Sequence, residues 1–170
     1  QSFALEGELL LWDVETGELV RRFDTTDAIA NVDITRDGKY AMVTSFFEQY
    51  IAVWDMETGE MLRQQTLGGN VEFSRLGATD QTALVGLDDG RLFEVNMQTL
   101  EIMRSFDGHT GTIWDIAFSQ DDALMASGQT KGLVMIWDYE TGREVGRIEH
   151  PGGFQTNVAF GPDNKSLFTS

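Results

Sequence analysis

Pairs of carboxylates recur along the chain, and their types and spacing suggest metal chemistry first. Each pair is an Asp followed two residues later by a Glu. The pairs are Asp13 with Glu15, Asp55 with Glu57, and Asp138 with Glu140. A calcium loop of the EF-hand type needs a denser set of oxygen ligands within one short loop. We therefore expect each Asp to accept backbone N–H bonds in a turn, and we expect no metal site.

The other reactive residue types do not form a recognisable site either. His109 and His150 are the two histidines, and neither has a second ligand nearby at a zinc-binding spacing. There is no cysteine, so thiolate chemistry and disulfides are excluded. The segment Asp88-Asp89-Gly90 resembles half of a cation site, but an Asp-Gly hairpin turn explains it without an ion. The sequence therefore predicts a protein that is not an enzyme and has no cofactor.

The charge balance limits the possible partners. The chain has 28 acidic and 12 basic residues, which gives a net charge of −16. This charge argues against nucleic acid and anionic membrane surfaces and allows basic protein partners. The longest apolar runs, such as Leu133 to Trp137, are far shorter than the roughly 20 residues of a membrane span. The sequence indicates a soluble protein, for which the cytoplasm is favoured although no compartment is fixed.

A repeated motif, rather than a reactive cluster, is the main feature of the sequence. A Trp-Asp-x-Glu-Thr-Gly segment occurs three times, and a degenerate copy lies between the second and third. The copies are Trp12–Glu18, Trp54–Glu60, Val95–Glu101 and Trp137–Arg143. They are spaced by about 42 residues, the range of a four-stranded propeller blade.

The rest of each period reads as short strands separated by turns. An alternating strand and turn precede the motif at Val32–Lys39 and Ile116–Ala123. The same block recurs at Val158–Lys165, after the last copy of the motif, and we align Val71–Ala78 with these blocks. Second strands follow, as at Tyr40–Ser45. A third strand carries the Trp, and a fourth follows the Gly of the motif. Turns every 8–12 residues indicate an all-β protein of about four blades with four strands each.

The motif, together with Gly108-His109, resembles the WD-repeat β-propeller family over essentially all 170 residues. The resemblance implies a propeller fold and protein–protein docking. It also implies structural roles, in strand packing and turns, for a set of repeated residues. These are Trp12, Asp13, Gly17, Trp54, Asp55, Gly59, His109, Ser127, Trp137, Asp138 and Gly142.

A structural tetrad of the family joins a His, a Ser or Thr, an Asp and the Trp. In the repeat that ends at Trp137, His109 and Ser127 match the first two positions. The Asp position, six residues before the Trp, is occupied by Lys131. We therefore expect this network to be broken, without consequence for the fold, because hydrophobic stacking supplies most of the stability.

One blade is predicted to be split between the two ends of a single domain that spans residues 1–170. Its first two strands are Asn157–Phe160 and Ser166–Thr169, and its last two are Leu9–Trp12 and Leu19–Phe23. Rings of this family resemble six- to eight-bladed wheels. We therefore expect this chain to form part of a larger ring that another copy or a missing segment completes.

One face of the propeller is a candidate docking surface. Loops that join fourth to first strands, and second to third strands, share this face and combine aromatic residues with charges. The candidate partner-binding residues are Phe47, Tyr50, Asp88, Asp89, Trp114, Lys131 and Phe154. The sequence favours a non-catalytic protein–protein interaction scaffold. The alternatives are a structural subunit of a larger assembly and a quinoprotein-like propeller enzyme.

Overall fold

The structure is a computed structural model that describes residues 7–25, 28–45, 47–149 and 156–170. Apart from a single-turn 3₁₀ helix at Thr130–Gly132, every regular element in these ranges is a β-strand, so the all-β prediction is confirmed. The strands are β1 Leu9–Trp12, β2 Leu19–Phe23, β3 Ile29–Ile34, β4 Tyr40–Ser45, β5 Tyr50–Asp55, β6 Met61–Thr66, β7 Val71–Leu76, β8 Thr82–Leu87, β9 Leu92–Asn96, β10 Ile102–Ser105, β11 Ile113–Phe118, β12 Leu124–Gln129, β13 Leu133–Asp138, β14 Arg143–Glu149, β15 Val158–Phe160 and β16 Leu167–Thr169.

These strands form three complete blades and two half-blades. Blade 1 is β3–β6, blade 2 is β7–β10 and blade 3 is β11–β14, each an antiparallel four-stranded sheet in sequence order. The first half-blade is β1–β2, and the last half-blade is β15–β16. The first strands of successive blades, β3, β7, β11 and β15, lie next to one another. The blades are therefore stacked side by side as in a propeller.

The hydrophobic core lies between the blades. Met42 and Val53 of blade 1 pack with Val71 and Val85 of blade 2, and all four side chains are almost fully buried. The middle strands of a blade are covered on both faces, which explains why their sequences are continuously apolar. The fourth strands lie at the outer edge and are largely exposed.

The repeat in blade 2 has a different register from the one that the sequence suggested. In blade 1, Thr35 N–H donates to the carbonyl oxygen five residues later, and Gly77, Ser119 and Gly161 make the same bond. Gly77 is thus the counterpart of Thr35, so the alignment of Val71–Ala78 with Val32–Lys39 was wrong by three residues. Apolar alternation alone did not fix the register, which is set by strand pairing and the hydrogen-bonded turn.

The first half-blade leaves its Trp exposed. Trp54 and Trp137 are 4% and 2% exposed, whereas Trp12 in the same position of its repeat is 52% exposed. Trp54 and Trp137 pack against Phe23 and Phe106 of the preceding blade. Trp12 has no such cover among the described residues, and β1 pairs there only with β2. The last half-blade forms a separate two-stranded sheet.

Candidate protein-interaction site

A buried hydrogen-bond network joins the loop before blade 3 to the second and third strands of that blade. Trp137 Nε1–H donates to Ser127 Oγ at 2.8 Å, and Ser127 Oγ lies 2.6 Å from His109 Nε2. The other ring nitrogen of His109, Nδ1, lies 2.9 Å from Gln129 Oε1. The expectation of a broken network, based on Lys131, was wrong. Gln129, which lies on β12 two residues after Ser127, supplies the missing acceptor.

The hydrogen atoms of this network have one consistent arrangement. Thr110 N–H also donates to Gln129 Oε1, at 2.9 Å, which assigns this atom as the amide oxygen. His109 Nδ1 therefore carries the hydrogen, and Nε2 accepts from the Ser127 hydroxyl. Burial lowers the pKa of His109 below 6.5, although the hydrogen bond with Gln129 acts in the opposite direction. His109 is only 8% exposed and Ser127 is fully buried, so these bonds are enclosed within the blade and have a structural role.

Each Asp of the repeated motif closes its own turn. Asp138 Oδ1 accepts from Thr141 Oγ1 at 2.6 Å and from Thr141 N–H at 2.8 Å. Gly142 follows at a φ of 70°, and these bonds hold the pKa of Asp138 below 3.8. The equivalent residues are Asp13 with Gly17 and Asp55 with Gly59. The carboxylates that first suggested metal chemistry are thus turn acceptors.

Side-chain hydrogen bonds link the loops of all three complete blades at one end of the propeller. Gln49 Nε2 donates to Asn70 Oδ1 at 3.2 Å, and Asn70 Nδ2 donates to Asp88 Oδ2 at 3.0 Å. Thr112 Oγ1 then donates to the Asp88 carbonyl oxygen at 3.1 Å. We call these bonds the rim network and this end of the propeller the rim. At Gly90 a Cβ would lie 2.7 Å from a carbonyl oxygen of the next loop, so the loops require glycine there.

Several residues that were expected to bind a partner lie at the rim. Phe47 is 54% exposed, and Lys131 is exposed at a φ of 69°. Asp89 pairs with Arg91 at 2.7 Å on the surface. Trp114 is half-buried. The rim therefore presents an aromatic ring and charges of both signs on tethered loops.

The structure does not place two other expected docking residues on this surface, one because it is buried and one because it is not among the described residues. Tyr50 is only 6% exposed and packs in the core with Phe23 and Trp54. This burial in the core argues against direct contact with a partner. Phe154 lies outside the described residues.

Sequence reasoning missed Glu72, which belongs with the rim residues. It occupies the β-bulge of β7, and Trp114 occupies the equivalent bulge of β11. Burial raises the pKa of Glu72 above 4.5, and the negative charge of Asp88 adds to the shift. A bulge changes the direction of a side chain at the end of a strand. No feature of the sequence distinguishes this Glu from the other acidic residues.

Potential metal ligands are dispersed in the part of the chain that the structure describes. No group of three or more His, Cys, Asp or Glu side chains there is arranged to hold an ion. Within the same ranges there is also no helix that is long and apolar enough to cross a membrane.

Comparison with known proteins identifies the repeat. The sequence model for the WD domain, G-beta repeat, matches residues 100–138, the stretch that contains His109, Ser127 and Trp137. Residues 100–138 thus match a WD repeat, and the motif copies at Trp12–Glu18 and Trp54–Glu60 resemble the one in that stretch. This assignment agrees with the stacked four-stranded blades and with the turn that follows each motif.

Several WD-repeat relatives match parts of the chain. The serine-threonine kinase receptor-associated protein of Gallus gallus is 25% identical over 136 residues, which are 80% of this chain and 38% of that protein. The eukaryotic translation initiation factor 3 subunit I of Debaryomyces hansenii is 40% identical over 67 residues, or 39% of this chain and 19% of the relative. Protein HIR1 of Cryptococcus neoformans is 31% identical over 104 residues, or 57% of this chain and 12% of the relative. The chain thus spans less than two fifths of the length of these relatives.

A solved structure shares the fold of this chain. Hydrazine synthase of Kuenenia stuttgartiensis superimposes with a TM-score of 0.87 at 15% identity. The match covers 95% of this chain and 49% of the hydrazine synthase chain. At this identity the likeness concerns the fold alone.

Proposed function

We propose that this chain is a non-catalytic protein–protein interaction scaffold that docks partners on the rim. The observation that carries the proposal is the rim network, in which Gln49, Asn70, Asp88 and Thr112 tie together the loops of three blades. Binding costs less conformational entropy when the contacting loops are already ordered. A tethered set of loops is therefore suited to docking a folded partner or a peptide.

The exposed residues of the rim fit this role. Phe47 provides a large apolar contact of the kind that dominates binding energy at interfaces. Lys131 and the Asp89–Arg91 pair add charges to the loops of the rim, and charges of this kind set orientation and specificity at interfaces. Function in a propeller comes from surface sites rather than from the fold.

The net charge of −16 favours partners with a basic surface. A field of this sign speeds the approach of a positively charged partner and loses strength as salt is added. The names of two relatives describe association with other proteins, one as a receptor-associated protein and one as a subunit of an initiation factor. These names support a scaffold role here without identifying the partner.

Site-specific photo-crosslinking tests this proposal. A photoreactive amino acid is placed at Phe47 in one variant and at Met103 in another, since these side chains are 54% and 57% exposed. Met103 lies on the outer strand of blade 2, away from the rim. A third variant carries the photoreactive amino acid at Asp89. We expect the same partner to be captured at Phe47 and at Asp89 in cell extract, and not at Met103. Equal capture at all three positions would refute docking on the rim.

A second role, as a subunit of a larger ring, is favoured by the exposure of Trp12. Among the described residues, β1 has a paired strand on one edge only, and an open edge invites a strand from another chain or from further residues of a longer chain. The strand that fits this edge is β16, the second strand of the split blade. If β16 pairs with β1 in the register that β12 and β13 have in blade 3, Leu11 lies opposite Phe168. The split blade is thus proposed to be completed between copies or by a missing segment.

An engineered disulfide tests the ring proposal. The chain has no cysteine, so Leu11→Cys and Phe168→Cys introduce one defined pair. When the Leu11→Cys and Phe168→Cys proteins are mixed, we expect them to form a disulfide-linked dimer under mild oxidation. The control is a mixture in which Leu62→Cys replaces Leu11→Cys, and we expect no dimer from it. A monomer that forms no crosslink would count against pairing between copies.

A further inference from the structure

The fourth strands β2, β6 and β10 each carry an Arg at the same position. Each of these Arg side chains reaches the next blade. Arg21 Nη1 donates to the carbonyl oxygen of Thr58 at 2.9 Å, and Arg63 Nη1 donates to that of Met97 at 2.8 Å. Arg104 Nη1 donates to the Glu140 carbonyl oxygen at 3.1 Å. The turns that they contact join third to fourth strands, at the end of the propeller opposite the rim. The junctions between blades are therefore built on a common plan, and they can be compared residue by residue.

At the junction of blades 2 and 3, the Arg is paired with a carboxylate. Glu94 lies directly across from Arg104 in the strand register, and Arg104 Nε donates to Glu94 Oε2. Tyr139 of blade 3 fills the remaining space, and its hydroxyl donates to Glu94 Oε1 at 2.5 Å. The guanidinium of Arg104 also lies 4.8 Å from the centre of the Tyr139 ring. The Glu94 side chain is only 8% exposed, so this junction holds a buried ion pair with further hydrogen bonds.

At the junction of blades 1 and 2, the Arg is retained but the carboxylate is not. Val53 lies across from Arg63, in the position of Glu94, and Met97 takes the position of Tyr139. No ion pair of Arg63 occurs among the described residues. A cavity of about 390 Å³ opens at this place, with Arg63, Val53 and Met97 in its lining. The cavity is within the roughly 300–1,000 Å³ range of small-molecule sites.

We propose that this cavity binds a carboxylate, which takes the place beside Arg63 that Glu94 takes beside Arg104. A half-buried guanidinium with an available N–H edge is well matched to a carboxylate. Val53, Met97 and the ring of Tyr40, which also line the cavity, suit a short aliphatic stem. The ligand class is therefore a carboxylate on a short aliphatic chain, either free or as an acidic side chain of a partner protein.

The charges around the cavity restrict the ligand to a single negative charge. Asp80 also lines the cavity, and its Oδ2 accepts from Arg36 N–H at 2.7 Å. The whole chain carries a net charge of −16. Both features oppose a second negative charge, so a monocarboxylate is preferred to phosphate. This site lies at the opposite end of the propeller from the rim, and it does not depend on the docking proposed there.

Nuclear magnetic resonance of the Arg63 Nε–H group tests the proposal directly. The probes are sodium propionate, the blocked peptide acetyl-Gly-Glu-Gly-amide and inorganic phosphate, all at constant ionic strength. We expect saturable shifts of the Arg63 signal with a carboxylate and none with phosphate. Binding of the peptide at least tenfold tighter than propionate would identify a partner side chain as the source, and equal or weaker binding of the peptide would identify a free carboxylate.

Variants separate a specific site from general attraction to arginine. We expect Arg63→Gln to weaken binding at least tenfold, whereas Arg22→Gln, which alters an exposed Arg of β2, leaves it unchanged. Met97→Tyr, which copies the other junction, should block the cavity and abolish binding in a folded chain. The absence of a saturable shift with either carboxylate would overturn the proposal, as would an equal response to phosphate or retained binding in Arg63→Gln.

Discussion

Nδ1 of His109 lies 2.9 Å from Oε1 of Gln129, an atom that also accepts the N–H of Thr110. This relationship lets a neutral amide hold the imidazole in the orientation in which it accepts from Ser127. The loop before blade 3 is thereby fixed to the middle of that blade. The same loop carries Thr112, which belongs to the rim network. Stability in blade 3 and order at the rim are thus connected through one short segment.

Removal of the amide oxygen at position 129 should destabilise the protein. Gln129→Leu leaves the N–H groups of His109 and Thr110 without their acceptor in a buried site. We expect a loss of about 1–3 kcal/mol in the free energy of unfolding, measured by urea titration. Gln129→Glu keeps an acceptor and should raise the pKa of His109, because a carboxylate favours the charged ring. A Leu variant as stable as the wild type would contradict this role.

The lowered pKa of His109 makes stability depend on pH. The folded protein resists protonation of this ring, so the unfolded chain binds more protons near and below pH 6.5. This contribution to stability is complete above pH 6.5 and decreases as the pH falls toward the folded pKa. We expect the urea midpoint to fall between pH 7.5 and 5, with a smaller decrease in His109→Gln. An identical pH dependence in both proteins would show that other groups cause it.

The three Trp residues of the motif should differ in energetic importance. Trp137→Ala should cost about 3–5 kcal/mol, because a fully buried aromatic ring is removed. Trp12→Ala should cost about 1 kcal/mol or less, because half of that side chain is already exposed. Thermal unfolding of both variants measures the difference. Equal melting temperatures would contradict the structural account of the first half-blade.

Replacement of Trp by Phe isolates the hydrogen bond from the packing. Trp137 Nε1 donates to Ser127, whereas Trp54 Nε1 is buried without a partner among the described residues. Trp137→Phe should therefore cost about 1 kcal/mol more than Trp54→Phe. Urea titrations of the two variants provide the comparison. A larger loss for Trp54→Phe would refute the assigned bond.

The turn carboxylates should titrate at low pH. Hydrogen bonds from Thr141 hold the pKa of Asp138 below 3.8, and those around Asp163, led by the Ser166 hydroxyl, lower its pKa to about 2. Thr141→Val removes one donor and should raise the pKa of Asp138, while that of Asp163 stays unchanged. Carboxyl carbon resonances followed by nuclear magnetic resonance report both values. An unaltered Asp138 titration in the variant would contradict the assignment.

The repeat made most of the fold predictable from the sequence. The Trp-Asp-x-Glu-Thr-Gly motif sets the end of each third strand, and the strands flanking it follow from local alternation and turns. The error in blade 2 arose where the motif is degenerate, because Val95 replaces the Trp there and the neighbouring block has no Asp-Gly turn. The register of β7, which the local alternation of apolar residues does not determine, is set by its pairing with β8.

The polar contacts were less predictable, since they depend on neighbours in other strands or blades. Gln129 accepts the hydrogen bond of His109 that the family's Asp accepts. It lies two residues before the position expected for that Asp, so the fixed spacing of the motif does not indicate it. The sequence does not distinguish Glu94 from an exposed Glu. Its burial is explained by the hydrogen bonds that Arg104 and Tyr139 donate to its carboxylate. The cavity beside Arg63 is lined by Val53 and Met97, which lie at positions where the repeat does not fix the residue type.

The central claim is that partners dock on the rim, and titration of a captured partner against two variants tests it most directly. Phe47→Ser removes an aromatic side chain at the rim, and Met103→Ser removes a side chain of similar exposure on an outer strand. Isothermal titration calorimetry should show at least tenfold weaker binding for Phe47→Ser and unchanged binding for Met103→Ser. Unchanged binding for Phe47→Ser, or a greater loss for Met103→Ser, would contradict the account.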